Sequence, residues 1–272
     1  MSAKTYIMPS QPAAAGQSKC GQCGLRQLCL PLGLDQAGME RLETVIVRRR
    51  RVQRDERLFR LGQPFHSLYA VHYGHIKTCR VDRQGAQQIT GFTMAGELLG
   101  LDAIATGEHS SDAIALEDSE VCEIPYAGLG ELIAQVPALL THFHRLMSQE
   151  ILREQAVMLF LGNMRAEQRL AVFLLNLATR YAQRGYSARS FQLRMSREDI
   201  GNYLGLTIES ISRLMARFRQ SGWIRLDNRE LEILDRDSLE ALATGMSSKA
   251  QAAVPAPEPA APQRIIPLRS AA

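Results

Sequence analysis

No run of eighteen or more apolar residues occurs in the 272-residue chain, so no segment can cross a bilayer as a helix. The first thirty residues hold no apolar stretch ending in a small-residue cleavage site, and no secretory signal is expected. Cysteine is scarce: five in a chain of this length do not make a disulfide scaffold. The expected location is cytoplasmic, where clustered thiols serve metal or redox chemistry. Charge of one sign is also in short supply, and a formal net charge of +4 decides no partner by itself. What is present, 46% hydrophobic and 22% charged residues, describes a folded chain with one large or two ordinary domains.

The most informative stretch is 196–222, SREDIGNYLGLTIESISRLMARFRQSG. Ser196 with Asp199 reads as a helix N-cap and its acidic partner. Gly205 breaks the pattern, Thr207 can cap a second helix, and Gly222 can end it. In that second helix Ile208, Ile211, Leu214, Met215 and Phe218 fall on one face, which should pack. Glu209, Ser212 and Arg213 fall on the other, near the N-terminus. A helix-turn-helix presents side chains there to base edges in the major groove. Arginine can bond guanine, glutamate can accept from cytosine, and serine can do either. Arg217 and Arg219 suit phosphate contacts. The plain alternative is a helical hairpin on a globular surface. Residues 189–229 hold eight Arg, no Lys and four acids, a net of +4 that equals the excess of the whole chain. That concentration favours a reader of double-stranded DNA.

Near the start, Cys20, Cys23 and Cys29 lie within ten residues, interleaved with Leu25, Leu28 and Leu30. Thiolates this close repel one another unless a cation neutralises them, so the segment reads as a metal site. Zinc and iron–sulfur clusters both want four ligands, and the fourth must be Cys79 or Cys122. Spacing does not choose the metal. Arg48–Arg51 with Arg54 read as a solvated strand edge.

Residues 57–125 change to short β-type runs with glycine between them: 67–72, 75–81, 88–92 and 120–124, with a hairpin turn at 82–85. The fold class expected is α+β, beginning with an antiparallel β-roll or jelly roll. A long helix over 137–161 opens at Pro137. Leu140, His144, Met147, Ile151, Glu154, Met158 and Leu161 follow a 4-3 spacing, the pattern of a coiled-coil seam. Leu139, Phe143 and Leu146 would face the β domain. A second helix over 166–184 leads into the reader, and 231–235 is a possible strand that makes the module winged. Residues 1–19 are expected to be flexible and 246–272 to be a disordered tail. The expected organisation is a cysteine arm and sensor domain over 20–136, a dimerisation helix over 137–164 and a DNA-binding domain over 165–245.

Cysteine cluster, β-roll, long helix and helix-turn-helix come in an order that resembles the oxygen-sensing FNR branch of the CRP/FNR transcription regulators, over roughly 20–240. The match is carried by Cys20-x2-Cys23-x5-Cys29, QQITGF (87–92), VCEIP (121–125) and DIGNYLGLTIESISR (199–213). The resemblance implies a [4Fe–4S] cluster held by Cys20, Cys23, Cys29 and Cys122 when oxygen is absent. It also implies a homodimer through the long helix, an inverted-repeat DNA site similar to TTGAT-N4-ATCAA, and RNA polymerase as a partner. Members that bind cyclic AMP carry Arg-Gly-Glu and a later Arg. Here the stretch is Met94-Ala95-Gly96-Glu97, with no Arg over 109–112, so no cyclic nucleotide is expected. Glu154, among Met147, Ile151 and Met158, would make dimerisation conditional by meeting its twin across the two-fold axis. Two other readings stand beside this one: a regulator whose cysteines hold zinc or sense redox state by disulfides, and a dithiol oxidoreductase. The second needs its CxxC beside a βαβ pattern, which the glycine-punctuated strands do not offer.

Overall fold

The computed structural model describes residues 20–46, 48–81, 85 and 87–245. The readings made for 1–19, for turn residues 82–84 and for the tail from 246 lie outside the described residues.

After the cysteine arm comes α1 (Gln36–Val45), capped by the Asp35 carboxylate, which accepts from the Gly38 amide at 2.8 Å. Eight strands follow: β1 (Arg48–Val52), β2 (Arg57–Phe59), β3 (Ser67–Tyr73), β4 (His75–Val81), β5 (Gln87–Met94), β6 (Leu98–Leu99), β7 (Asp112–Ala115) and β8 (Ser119–Pro125). They form two antiparallel sheets, ordered β1-β8-β3-β6 and β2-β7-β4-β5, as the β-roll reading expects. Alternate side chains, among them Val52, Leu58, Val71, Ile76 and Val121, meet in one buried cluster shared by the two sheets. The β3–β4 turn needs Gly74, at φ +91°, because a Cβ there would stand 2.1 Å from Ser119 Oγ.

The β1-β8-β3 sheet is covered by the arm, α1, α2 (Tyr126–Gln135) and the start of α3 (Pro137–Asn163); Leu30, Leu42, Leu68, Leu129 and Leu139 share that core. Helix α3 runs where expected, with Leu139 and Phe143 buried and Leu146 packed against the sensor core. Of the residues expected on its seam, Met147 also packs partly against the sensor core and Leu161 against the C-terminal core, each half-buried. Ile151, Leu152, Met158 and Leu159 remain more than half exposed, at 53, 61, 66 and 60%.

The C-terminal part comprises α4 (Ala166–Gln183), β9 (Ser190–Gln192), α5 (Arg197–Leu204), α6 (Ile208–Gln220), β10 (Ile224–Asp227), β11 (Glu230–Ile233) and α7 (Arg236–Ala243). The wing is a three-stranded sheet, β10-β11-β9, of which only β11 was expected. Leu170, Leu174, Leu177, Ile211, Met215 and Phe218 are buried in one cluster. Ile208, expected on the packed face, is 45% exposed, since as the first helical residue it sits before α6 reaches α4.

That cluster also takes in Ile89, Phe92, Met94 and Ile114 from the second sheet of the roll, so sensor and reader share apolar packing. Polar contacts pin the same face. Lys77 Nζ meets Asp199 Oδ1 at 2.6 Å, and the Asn202 amide donates to the Gln87 carbonyl and accepts from the Ile89 amide. Beside them Glu97 accepts from Arg180 Nε at 3.1 Å, Arg184 Nη2 at 2.7 Å and the Met94 amide at 3.0 Å, with Arg153 Nη2 at 3.7 Å.

Candidate cofactor site and nucleic-acid interface

The arm is wound by short hydrogen bonds: Cys23 N to Cys20 O at 3.1 Å, Leu28 N to Leu25 O at 2.9 Å and Cys29 N to Leu25 O at 3.1 Å. These turns carry Cys20, Cys23 and Cys29 around to one side. Leu28 seats against Gly96, where a Cβ would stand 2.9 Å from the leucine Cβ. Glu43 accepts from the Gly21 amide at 2.9 Å, and the Cys29 carbonyl lies 3.0 Å from Nε2 of His142 on α3. Burial pushes the His142 imidazolium down despite that bond, so the neutral ring donates its Nε2–H.

Strand β8 brings Cys122 to the same place. In register it faces Arg49 on β1 and Ala70 on β3, so the three side chains share a face of the sheet. Cys20, Cys23, Cys29 and Cys122 thus ring one small hollow of about 30 Å³, walled by Leu25, Leu30, Leu42, Ile46, Val71 and Ile124. Arg26, Arg49 and His72 also line it. A register shift between Val71 and Tyr73 turns His72 so that its Nδ1 lies 3.8 Å from Cys23 Sγ. Among the described residues no three His, Cys, Asp or Glu side chains converge tightly enough to hold a single metal ion.

Burial pushes the Cys20 thiol up to about 12, with Cys122, Cys23 and Glu43 adding to the rise. Burial likewise raises Cys29 and Cys122, the latter against the pull of Arg49. Four soft donors in an apolar hollow become thiolates only when a cation is there to stabilise them. The donor set, four cysteines lining one apolar hollow, therefore fits an iron–sulfur cluster. Cys79 lies elsewhere: on β4, fully buried, its sulfur accepting from Gln87 Nε2 at 2.7 Å. Arg49 and His72 escape a sequence reading, since their approach to the thiols depends on strand register and a bulge.

The reader forms from its caps. Ser196 Oγ accepts from the Asp199 amide at 3.0 Å while Asp199 Oδ2 accepts from the Ser196 amide at 2.9 Å. Gly205, at φ +64°, reverses the chain, and Thr207 accepts from the Ser210 amide at 3.2 Å. The turn is tight enough that a Cβ on Gly201 would stand 2.7 Å from the Leu206 carbonyl. With Ile211, Met215 and Phe218 turned inward, Glu209, Arg213, Arg217 and Arg219 are exposed and Ser212 is half-buried. Ser212 Oγ accepts from Arg197 at 3.4 Å, Arg213 Nε reaches the Glu209 carbonyl at 3.4 Å, and Arg217 pairs with Glu167. The Arg48–Arg51 run is an edge strand whose arginines pair with Glu123, Glu120 and Glu56.

No helix among the described residues is long and apolar enough to cross a membrane. The description "Crp-like helix-turn-helix domain" matches residues 168–242, and "Cyclic nucleotide-binding domain" matches 49–136. The chain is 46% identical over 224 residues to the fumarate and nitrate reduction regulatory protein of Escherichia coli (strain K12), covering 82% of this chain and 90% of that protein. It is 46% identical over 235 residues to the transcriptional regulatory protein btr of Bordetella pertussis, covering 86% of this chain and 96% of that protein. Among solved structures, FixK2 from Bradyrhizobium japonicum superposes with a TM-score of 0.66 at 27% identity, covering 71% of this chain and 96% of that one. These relatives are regulators rather than enzymes, and the chain belongs to the CRP/FNR family of transcription regulators, in its FNR-type branch, with a DNA-binding helix-turn-helix.

Proposed function

We propose that this regulator responds to oxygen through a [4Fe–4S] cluster held by Cys20, Cys23, Cys29 and Cys122. With the cluster in place it dimerises through α3 and binds an inverted repeat similar to TTGAT-N4-ATCAA. There it recruits or blocks RNA polymerase. The observation that carries the reading is the gathering of four thiols, from the arm and from β8, around one hollow that excludes Cys79. When bound, the cluster supplies redox-sensitive iron whose loss in air undoes the site. The chain's own residues do the rest. Leucines and Ile46 keep water from the thiols, and His142 ties Cys29 to the dimer helix. Glu209, Ser212 and Arg213 read bases, while Arg217 and Arg219 position the duplex on its phosphates, Arg217 by leaving Glu167.

A cyclic nucleotide is not part of this reading, although the sensor domain matches that fold description. Glu97, the acid of the matching motif, already has both oxygens engaged by Arg180, Arg184 and the Met94 amide.

Protein purified under nitrogen should contain iron and sulfide, absorb broadly in the visible and bleach in air. It should also select the inverted repeat from a random DNA pool. Arg213→Ala should relax preference at one position of each half-site, a loss of about 1–3 kcal/mol. A colourless protein holding zinc, or an unchanged consensus for Arg213→Ala, rejects the corresponding half of the proposal.

Dimerisation is proposed to be gated at Glu154. Ile151 and Met158 are seven residues apart and exposed, as are Leu152 and Leu159, which suits a partner helix. Glu154 lies between them and is itself exposed. Two such carboxylates about 4 Å apart repel by roughly 4 kcal/mol at an effective dielectric near 20. Arg153, the neighbouring cation, cannot relieve them: it is held by Glu150 Oε2 at 2.6 Å and by Glu97. Cluster-free protein should sediment as a monomer, and Glu154→Ala should move it towards dimer. A variant as monomeric as wild type removes Glu154 from the switch.

A further inference from the structure

The hollow contains one polar group that the ligand set leaves unexplained. Arg49 stands directly across from Cys122 in the β1–β8 register, and both residues line the hollow. Its Nη1 is 3.7 Å from Glu120 Oε1, a loose contact that balances part of its charge. Its Nε is buried and has no hydrogen-bond partner among the described residues. An N–H left unsatisfied in the interior destabilises the fold. Such an atom, in a cation beside four thiols, points to an acceptor that arrives with the cofactor.

The chemistry of that acceptor follows from charge. Four thiolates around a [4Fe–4S] core of charge 2+ leave the assembly net negative, in a hollow whose walls are otherwise mostly apolar. Hydrogen bonds to the sulfurs and nearby positive charge favour the more reduced, more negative state, and so raise the reduction potential. Of the other polar groups lining the hollow, Arg26 is exposed at the arm, and His72 offers its Nδ1 towards Cys23. Neither shares the register of Cys122.

We propose that Arg49 is a positioning residue for the cluster: its Nε–H donates to a cluster sulfur, and its charge holds the Cys122 thiolate and raises the reduction potential. The proposal rests on the [4Fe–4S] reading above, and its test separates the two. Wild type, Arg49→Gln, Arg49→Lys and Arg54→Gln are purified under nitrogen, and iron content is measured before anything else. The midpoint potential of the cluster's one-electron couple is then found by dye-mediated titration. Arg49→Gln should keep its iron while its potential falls by about 59 mV, a tenfold change in the equilibrium constant of the couple. Arg49→Lys, which keeps the charge without the Nε–H, should fall by a smaller amount, and Arg54→Gln, an exposed arginine outside the hollow, should match wild type. Potentials for Arg49→Gln and Arg49→Lys equal to wild type overturn the role of Arg49 and leave the cluster reading standing. If Arg49→Gln holds no iron, Arg49→Lys decides: a lowered potential supports the proposal and an unchanged one overturns it. Wild-type protein free of iron overturns both.

Discussion

Cys122→Ser should lose its iron and its DNA binding under nitrogen, whereas Cys79→Ser should keep both near wild type. The two cysteines are alike in sequence, each a small apolar residue within a β-strand. Their surroundings differ. Cys122 faces the arm with Arg49 and Ala70, in the hollow that Cys20, Cys23 and Cys29 also line. Cys79 is fully buried in the opposite sheet. Serine's harder, far less acidic hydroxyl is a poor ligand for iron that prefers thiolate. Equivalent losses are expected for Cys20→Ser, Cys23→Ser and Cys29→Ser. Iron retained by Cys122→Ser and lost by Cys79→Ser would show that the assignment of the fourth ligand is wrong.

The second large effect belongs to stability. Glu97 sits among Arg153 of α3, Arg180 of α4 and Arg184 at the C-terminal cap of α4, joining the sensor to both helices. Burial alone would raise its carboxyl, but Arg180, Arg153 and Arg184 overrule it and hold it at about 2. Removing one partner of such a buried group leaves the others uncompensated, which costs about 3–5 kcal/mol. Glu97→Gln should therefore unfold at markedly lower urea concentration. The depressed value also gives a pH dependence. A carboxylate whose folded value lies below its unfolded value contributes stability above about 4.5, and that stability is lost as pH falls towards about 2. Wild type should weaken across that window, and Glu97→Gln should weaken less. Equal urea midpoints, or equal acid sensitivity, would remove Glu97 as a tie between the parts.

The reader was legible because its signals are local. Ser196, Gly205, Thr207 and Gly222 each act within a turn of their own position, and each does in the structure what its residue type suggests. Strands β3, β4, β5 and β8 were visible as short β-type runs between glycines. Helix α2 was not, because YAGLGELIAQ carries two glycines, and only the burial of Leu129 and Leu132 overrides their preference. Helices α1 and α7 do have their cap residues, Asp35 and Asp235, but are too short to show a long stripe. The site divides in the same way. Three of its thiols announce themselves by spacing, whereas Arg49 was lost in a basic run read as one solvated edge. Only pairing with β8 turns that one arginine towards sulfur. The arginines around Glu97 were equally hidden, since they meet it from more than fifty residues away along the chain.

The hydrogen bond between the Cys29 carbonyl and His142 has a thermodynamic side. It joins a residue proposed to ligate iron to the helix proposed to form the dimer, and coupling between two equilibria is reciprocal. If filling the hollow makes α3 bind its twin more tightly, a protein already paired on DNA must grip its cluster more tightly by the same factor. On the proposed reading, promoter-bound dimers would then hold their clusters more tightly at equilibrium than free protein, and the sensing threshold would depend partly on how much of the protein is in use.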